Sequence, residues 1–95
     1  MSVFFLAEIK NITDNNLYRE YIEKTASIIE KHGGEYILRS EQLIPISGDW
    51  DLKRIILIRF ADKEKLRECF QSDEYKEIAH LRENSTVSKA IMIEE

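Results

Sequence analysis

The four residues His32-Gly33-Gly34-Glu35 constrain the fold of this chain most, because they end one kind of structure and begin another. Upstream of them, apolar and semi-apolar residues recur at intervals of three and four, the period of an amphipathic helix. These positions are Tyr18, Tyr21, Ile22, Thr25, Ile28 and Ile29. Gly33 and Gly34 then supply the left-handed conformation of a helix C-cap. The pattern predicts a helix that ends at the glycine pair and a strand that starts at Glu35.

The rest of the chain alternates between strand and helix patterns. Runs rich in β-branched and aromatic residues predict strands, and Asp14, Asp62 and Ser72 are suitable N-caps for helices. The predicted elements are a strand from Val3 to Lys10, a helix from Leu17, strands from Glu35 to Ile46 and from Lys53 to Phe60, a helix after Asp62 carrying Leu66, Cys69 and Phe70, a short helix from Ser72 to about Arg82, and a strand from Thr86 to Glu94. This β-α-β-β-α-β order predicts one α+β domain over residues 1–95, a ferredoxin-like sandwich with a four-stranded antiparallel sheet and the helices on one face.

Both faces of the predicted sheet are apolar. Side chains alternate along a strand, so Phe4 and Leu6 point opposite to Phe5, and Ile56 points opposite to Ile55. Two helices cover only one face, and the other would be a larger apolar patch than soluble monomers usually expose. We therefore expect a homodimer in which a second copy packs sheet against sheet about a two-fold axis.

Composition narrows the classes of partner. With 14 basic and 18 acidic residues the net charge is -4, and no basic block is present, which argues against nucleic acid. The apolar run that begins at Val3 is stopped by Glu8, so it is too short for a membrane span, and it lacks the basic region of a signal peptide. Cys69 is the only cysteine, which fits a small buried side chain and a reducing, cytoplasmic location.

A set of residues spread over the chain forms a recognisable pattern. It comprises Tyr18, Tyr21, His32-Gly33-Gly34, Tyr36, Arg39, Gly48-Asp49-Trp50, Arg54, Phe60, Ser72, Glu74, Tyr75 and Leu81-Arg82. In this combination the chain resembles the domain of unknown function family 1330 over nearly its whole length. It departs from the family pattern at Ser40-Glu41, where Gly-Gly is frequent, and at Asp51-Leu52 and Asp73, where a proline is frequent.

The resemblance implies a dimeric α/β-barrel protein related to cofactor-free monooxygenases, muconolactone-type isomerases and stress-responsive barrels. It implies no cofactor and no established activity. If the chain is an enzyme of this kind, His32 or a tyrosine hydroxyl would be the acid/base. Arg39 or Arg54 would then stabilise a developing enolate or hold a carboxylate.

Arg39, Arg54 and His32 each allow two interpretations from the residues alone. An arginine in an apolar strand must reach water or be paired, so the two arginines could clamp a ligand carboxylate or form ion pairs within the hairpin. The candidate partners for such ion pairs are Glu35, Glu41 and Asp49. His32 could meet the last carbonyl groups of its helix, or it could titrate in a pocket.

The tyrosines and the tryptophan are equally open to two interpretations. Tyr18, Tyr21, Tyr36 and Tyr75 fall on elements that should face one another between the helices and the sheet. Such a stripe is usually core with its hydroxyl groups at the rim, but a cleft lined by aromatic rings and a few polar groups is also typical of a small-molecule site. Trp50 either covers the edge of the dimer or stacks on a ligand.

Other chemistries lack the residues that they require. The two histidines and the cysteine have no metal-ligand spacing, and no serine or cysteine nucleophile has an identifiable base. The glycine pair follows a helix, whereas phosphate loops follow a strand. We therefore predict a small cytoplasmic homodimer that binds a small apolar or aromatic molecule, with or without a carboxylate, in the cleft between helices and sheet. The alternatives are a cofactor-independent monooxygenase or isomerase and a non-catalytic stress-related or structural dimer.

Overall fold

The computed structural model describes residues 1–95, which form four strands and three helices. The elements are β1 (Val3–Ile12), α1 (Asn15–Lys31), β2 (Glu35–Ser40), β3 (Arg54–Phe60), α2 (Lys63–Gln71), α3 (Asp73–Glu83) and β4 (Thr86–Glu94). The strands pair antiparallel in the order β2-β3-β1-β4. The Cα atoms extend over 33 × 33 × 16 Å, so the molecule is a slab of one sheet and one helix layer. The predicted ferredoxin-like α+β fold is confirmed.

Side-chain caps begin each helix where the sequence predicts. The Asp14 carboxylate accepts hydrogen bonds from the amides two and three residues ahead, both at 3.1 Å. Asp62 accepts the amide of Lys65 at 2.9 Å, and the Ser72 hydroxyl accepts the amide of Tyr75 at 3.2 Å. Each such cap typically stabilises its helix by about 1 kcal/mol. Ser72 separates α2 from α3, so the helix layer bends there.

The two glycines after α1 have different roles. Gly33 has φ +81° and ends the helix, as the sequence predicts. The prediction that Gly34 shares this left-handed conformation is wrong, since its φ is not positive. Instead a Cβ atom at Gly34 would lie 2.6 Å from Cγ2 of Ile29 and 3.0 Å from the ring of Phe60. Gly34 is therefore the residue that lets the chain pass close to the core as β2 begins.

Strand β2 is shorter than predicted and contains a bulge. Its last paired residue is Ser40, and residues 41–53 form a loop, so the prediction of a strand to Ile46 is wrong. Pro45 has no amide hydrogen to donate to a neighbouring strand, and the loop turns at Gly48, whose φ is +82°. Within β2 the pairing advances from Tyr36 to Leu38 against one step of β3. This bulge leaves Tyr36 and Arg39 on the same, helix-facing side of the sheet.

The core lies between the sheet and the helices. It consists of Val3, Ile28, Ile29, Ile58, Phe60, Leu66, Cys69, Tyr75, Ile78 and Leu81. Ile29, Phe60 and Cys69 have no exposed surface. Burial raises the pKa of the Cys69 thiol from 9.0 to about 11, so it stays protonated at neutral pH. The cysteine is a small buried side chain, as the sequence predicts.

The sheet face opposite the helices, here called the outer face, is also apolar. Pairing places Leu38, Leu57, Leu6 and Ile91 side by side in one row across all four strands. Of these, Leu38 is 49% and Ile91 58% exposed. The expectation of two apolar faces is therefore confirmed, and only one of them is covered by helices. None of the helices is long and apolar enough to cross a membrane.

Candidate functional site

A cavity lies between α1 and the sheet. It encloses about 640 Å³ of space between atoms when its open mouth is included, of which about 50 Å³ accepts the centre of a water molecule. The wall is mostly apolar and includes Phe5, Ile9 and Ile56. Of the residues that the sequence suggested for a site, the structure brings together Tyr18, Tyr21, Tyr36, Arg39 and Arg54 around this cavity.

Arg54 enters the cavity from the first position of β3. Its side chain is only 15% exposed, and Nη1 donates to Oε1 of Glu41 at 3.3 Å. Among the ion-pair partners that the sequence allowed, the structure thus selects Glu41. The Nε atom is buried and has no hydrogen-bond partner. Only part of the guanidinium group is therefore used by the protein itself.

Tyr18 and Thr25 face the cavity from α1, two helical turns apart. They are 5% and 6% exposed; the Tyr18 hydroxyl has no hydrogen-bond partner, and the Thr25 Oγ1 atom has none of regular geometry, its nearest hydrogen-bonding group being the Tyr21 hydroxyl. Together with Arg54 Nε, these are the buried side-chain polar atoms that lack partners in this chain, and all line the same cavity. A buried polar atom without a partner costs about 1–3 kcal/mol, and such atoms are rare in folded proteins. Their concentration here marks the cavity as a place for a polar group.

All charged residues that line the cavity are cations. They are Arg39, Arg54, Arg82 and Lys89, and no aspartate or glutamate is among them. The Arg39 guanidinium lies 4.2 Å above the ring of Tyr36 and forms no ion pair. Lys89 and Arg82 have carboxylates within 3.6 Å, those of Glu8 and Glu83. The wall therefore favours an anion over a cation.

The tyrosines around the cavity are hydrogen-bond donors at neutral pH. Burial raises the pKa of Tyr18 and of Tyr36, although the positive charges of Arg54 and Arg39 oppose the shift. Burial raises the pKa of Tyr21 further, and the Tyr75 hydroxyl, 2.8 Å away, adds to the effect. Because the phenolate form is disfavoured in each case, these side chains stay protonated at neutral pH and suit the role of hydrogen-bond donor, not that of base.

Three residues suggested by the sequence lie elsewhere. His32 ends α1, where its Nδ1 atom hydrogen-bonds to the carbonyl oxygen of Ile28 at 3.0 Å, and it does not line the cavity. Trp50 lies in the loop of residues 41–53, is 56% exposed, and donates its indole N–H to Ser47 O at 2.7 Å. Tyr75 belongs to the core, behind Tyr21. No group of three or more histidine, cysteine, aspartate or glutamate side chains converges to hold a metal ion.

The structure adds residues that the sequence did not single out for a site. Thr25 belongs to the apolar stripe of α1, and only its hydroxyl group distinguishes it from the core residues beside it. Ser88 and Ala90 sit on the helix-facing side of β4, opposite Ile9 and Ala7, and line the cavity while remaining exposed. Their small side chains leave the mouth open. Two small residues spaced by two at the start of a final strand are a weak signal for such an opening.

Fold and cavity together define a class, an α+β protein of ferredoxin-like fold with a cation-lined apolar cavity under its first helix. Within this class the chain belongs to the family described as Domain of unknown function (DUF1330), whose model matches residues 2–95. The resemblance deduced from the sequence is thereby confirmed. No curated protein matches the sequence.

Solved structures with the same fold include proteins of known and unknown function. A protein of unknown function from Rhodopseudomonas palustris is 14% identical, with TM-score 0.79 over 99% of this chain and 82% of that one. SnoaB, a cofactor-independent oxygenase from Streptomyces nogalater, is 12% identical, with TM-score 0.72 over 99% and 92%. A dimeric protein of unknown function and ferredoxin-like fold from Bacteroides fragilis is 9% identical, with TM-score 0.64 over 99% and 96%. At these identities the likeness establishes the fold.

Proposed function

We propose that this protein is a homodimer that binds a small apolar or aromatic molecule in the cavity beneath α1. The observation that supports this most is the set of unpartnered buried polar atoms, Tyr18 Oη, Thr25 Oγ1 and Arg54 Nε, in a wall that is otherwise mostly apolar. Ligand sites combine an apolar wall with a few polar groups that fix orientation, and this cavity has that composition.

Entry of a ligand requires side chains at the mouth to move. The space open to water-sized molecules is only about 50 Å³, which is below the volume of typical ligand sites. Arg39 is exposed and is held only by its stacking on Tyr36, so its rotation enlarges the opening at little cost. We expect a ligand with one aromatic ring or a chain of similar bulk.

The dimer is proposed from the outer face. Its apolar row runs unbroken from Leu38 to Ile91 across the sheet, and a second copy packed against it would remove these side chains from water. The similar protein from Bacteroides fragilis is described as dimeric. A cytoplasmic location belongs to the same proposal, because a lone cysteine such as Cys69 suits a reducing compartment.

Substitution of Leu6 tests the dimer. Leu6 lies in a central strand with Leu57 and Ile91 directly opposite it on either side. A lysine at this position would bring a charge into the centre of the proposed interface, so we expect Leu6→Lys to sediment as a monomer where the wild type sediments as a dimer. Lys53→Glu, an exchange of charge in the exposed loop, is the control and should leave the dimer intact. A wild-type monomer at micromolar concentration would contradict the proposal.

Native mass spectrometry of the purified protein tests binding. We expect a dimer that carries additional mass, and this mass should disappear when the protein is denatured. The same spectrum of Arg54→Gln should show less of the additional mass, because this variant removes the cation and the buried Nε donor from the cavity. A bare dimer, with no small molecule retained by either protein, would favour the non-catalytic structural alternative.

A cofactor-independent oxygenase or isomerase is the second candidate, and the likeness to SnoaB favours it. In such a reaction Arg54 and the Tyr18 hydroxyl would stabilise negative charge that develops on an enolate oxygen. His32 lacks a position at the cavity that would support its role as acid/base. The test is incubation of the protein with the molecule identified by mass spectrometry, followed by measurement of oxygen uptake and of product mass. Turnover that Arg54→Gln abolishes and His32→Ala leaves unchanged would support an enzyme built on the cavity.

A further inference from the structure

One end of the cavity carries the Tyr18 hydroxyl and the Arg54 guanidinium group, and an anion there would accept hydrogen bonds from both. We propose that Arg54 and Tyr18 together hold a carboxylate of the ligand, and that Glu41 competes with this carboxylate for Arg54. The proposal rests on the function proposed above, since it names the chemical class of the molecule in that cavity. It also assigns a role to Glu41, which does not line the cavity but regulates its charge.

Tyr18 provides the first donor. Its ring is 95% removed from solvent, its hydroxyl group faces the cavity, and no protein atom accepts its hydrogen. Tyr18 and Arg54 line the same cavity, and Arg54 donates a hydrogen bond to Glu41 at 3.3 Å. A phenol O–H beside a guanidinium group is suited to one carboxylate oxygen.

Arg54 provides the charge and further donors. A guanidinium group carries five N–H donors in a planar fork that matches a carboxylate with two parallel bonds. Here Glu41 takes one bond, from Nη1 at 3.3 Å, which is long for a charge-assisted hydrogen bond. Nε remains buried without a partner. The fork is therefore only partly satisfied by the protein, and its unused donor points to the buried side.

Glu41 fits the role of a competitor by its position. It is the first residue after β2, at the start of the loop, and its side chain is 63% exposed, so water replaces Arg54 readily when the pair separates. Its side chain makes one hydrogen bond, to Arg54. Arg54, in contrast, is largely buried and cannot turn to water. A ligand carboxylate on the inner side would weaken the pair by competing for the same charge.

A carboxylate fits better than a larger anion. The accessible space is small and its remaining wall is apolar, so a planar monoanion attached to an apolar body satisfies the donors without burying further charge. The other cations do not converge on the same point, because Arg39 stacks on Tyr36 and Lys89 pairs with Glu8. Aromatic and branched aliphatic carboxylates are the expected class.

Benzoate and benzamide provide a matched pair of probes, since they share shape and differ in charge. Each is titrated into the 15N-labelled protein, and amide shifts at residues of the cavity give the dissociation constant. For the wild type we expect benzoate to bind at least about tenfold tighter than benzamide, the scale of a hydrogen bond to a charged group. Arg54→Gln and Tyr18→Phe should lower this preference, and Arg54→Lys, which keeps the charge and loses the fork, should retain part of it.

Glu41→Gln is the decisive variant. It removes the competing charge, so benzoate should bind about two- to fivefold tighter, the range of a partly exposed ion pair, while benzamide is unaffected. Glu20→Gln is the control, because Glu20 pairs with Lys24 on the exposed side of α1 and its loss changes the net charge equally. Glu20→Gln should leave both constants unchanged.

Two results would overturn the inference, and they differ from failure of the proposed function. Equal binding of benzoate and benzamide, or a benzoate constant that Glu41→Gln leaves unchanged, would leave a cavity that binds neutral apolar molecules and exclude the carboxylate site. Benzoate shifts confined to residues outside the cavity would exclude it as well. Failure of the proposed function is a separate observation, the absence of any bound small molecule in native mass spectrometry.

Discussion

The two ends of the space between helices and sheet differ in how tightly they are packed and in whether their buried polar atoms have hydrogen-bond partners. At one end Phe60 and Cys69 are fully buried, and Gly34 leaves no room for a side chain. At the other end, under the first half of α1, Tyr18 and Arg54 keep buried polar atoms without partners. The same helix covers both ends. The packed end therefore stabilises the fold, while the cavity end carries an energetic cost of the kind that functional sites retain.

The largest expected effect on stability comes from removal of a large side chain at the packed end. Phe60→Ala removes a fully buried ring from the centre of the core and should lower the free energy of unfolding by about 3–5 kcal/mol. Thr25→Val at the cavity end replaces a buried hydroxyl group by a methyl group of equal size and should change the free energy of unfolding by less than about 1 kcal/mol in either direction. Urea denaturation of both variants measures the difference. Equal losses would show that the two ends contribute alike.

The reactivity of Cys69 tests how closed the packed end is. Its pKa is raised from 9.0 to about 11, so roughly a hundredfold less thiolate is present in the folded protein than in the unfolded one at pH 8. Because the folded pKa is the higher one, the contribution of the thiol to stability is complete below about pH 9 and is lost as the pH rises toward about 11. Labelling with a thiol reagent, with and without denaturant, measures the ratio. Rapid labelling of the folded protein would contradict the packing described.

Two tyrosine substitutions should have smaller effects on stability, and they compare a hydroxyl group that has a hydrogen-bond partner with one that has none. Tyr21→Phe removes a hydroxyl group that shares a 2.8 Å hydrogen bond with Tyr75, so it should destabilise the protein by about 1 kcal/mol. Tyr18→Phe removes a buried hydroxyl group that has no partner, so it should leave stability unchanged or raise it. Thermal unfolding of both variants distinguishes them. Loss of stability in Tyr18→Phe would indicate a partner, such as ordered water, for that hydroxyl group.

The fold follows from the sequence where the local pattern and the burial agree. The stripe of α1, the capping residues and the glycine after α1 each favour the observed structure without help from distant residues. Strand β2 was overestimated because Ile44 and Ile46 continue its apolar pattern, yet in the structure they are 83% and 93% exposed. The sequence gives the hydrophobicity of a side chain, but it does not show whether that side chain is buried in the folded protein. The length of β2 is set by its pairing with β3, which is a tertiary property.

The candidate site was predictable in part. The structure brings Tyr18, Tyr21 and Arg54 to one cavity because their elements face one another in this fold. The positions of His32 and Trp50 away from the cavity depend on the geometry of a helix end and of a long loop, which residue types alone do not define. That a hydroxyl group is buried without a partner is a relation among many atoms. No pattern in the sequence reports it.

The bulge at Ile37 determines on which face of the sheet Arg39 lies. In a regular strand, side chains two apart share a face, so Tyr36 would share its face with Leu38, and Arg39 would face the opposite way. The extra residue shifts the phase of the strand by one, and a positive charge is thereby kept out of the apolar row in which Leu38 lies. The side chain of Ile37, 46% exposed, belongs to neither pattern. Deletion of Ile37 would therefore preserve the phase of the strand, whereas an insertion between Leu38 and Arg39 would turn the guanidinium group to the opposite side of the sheet.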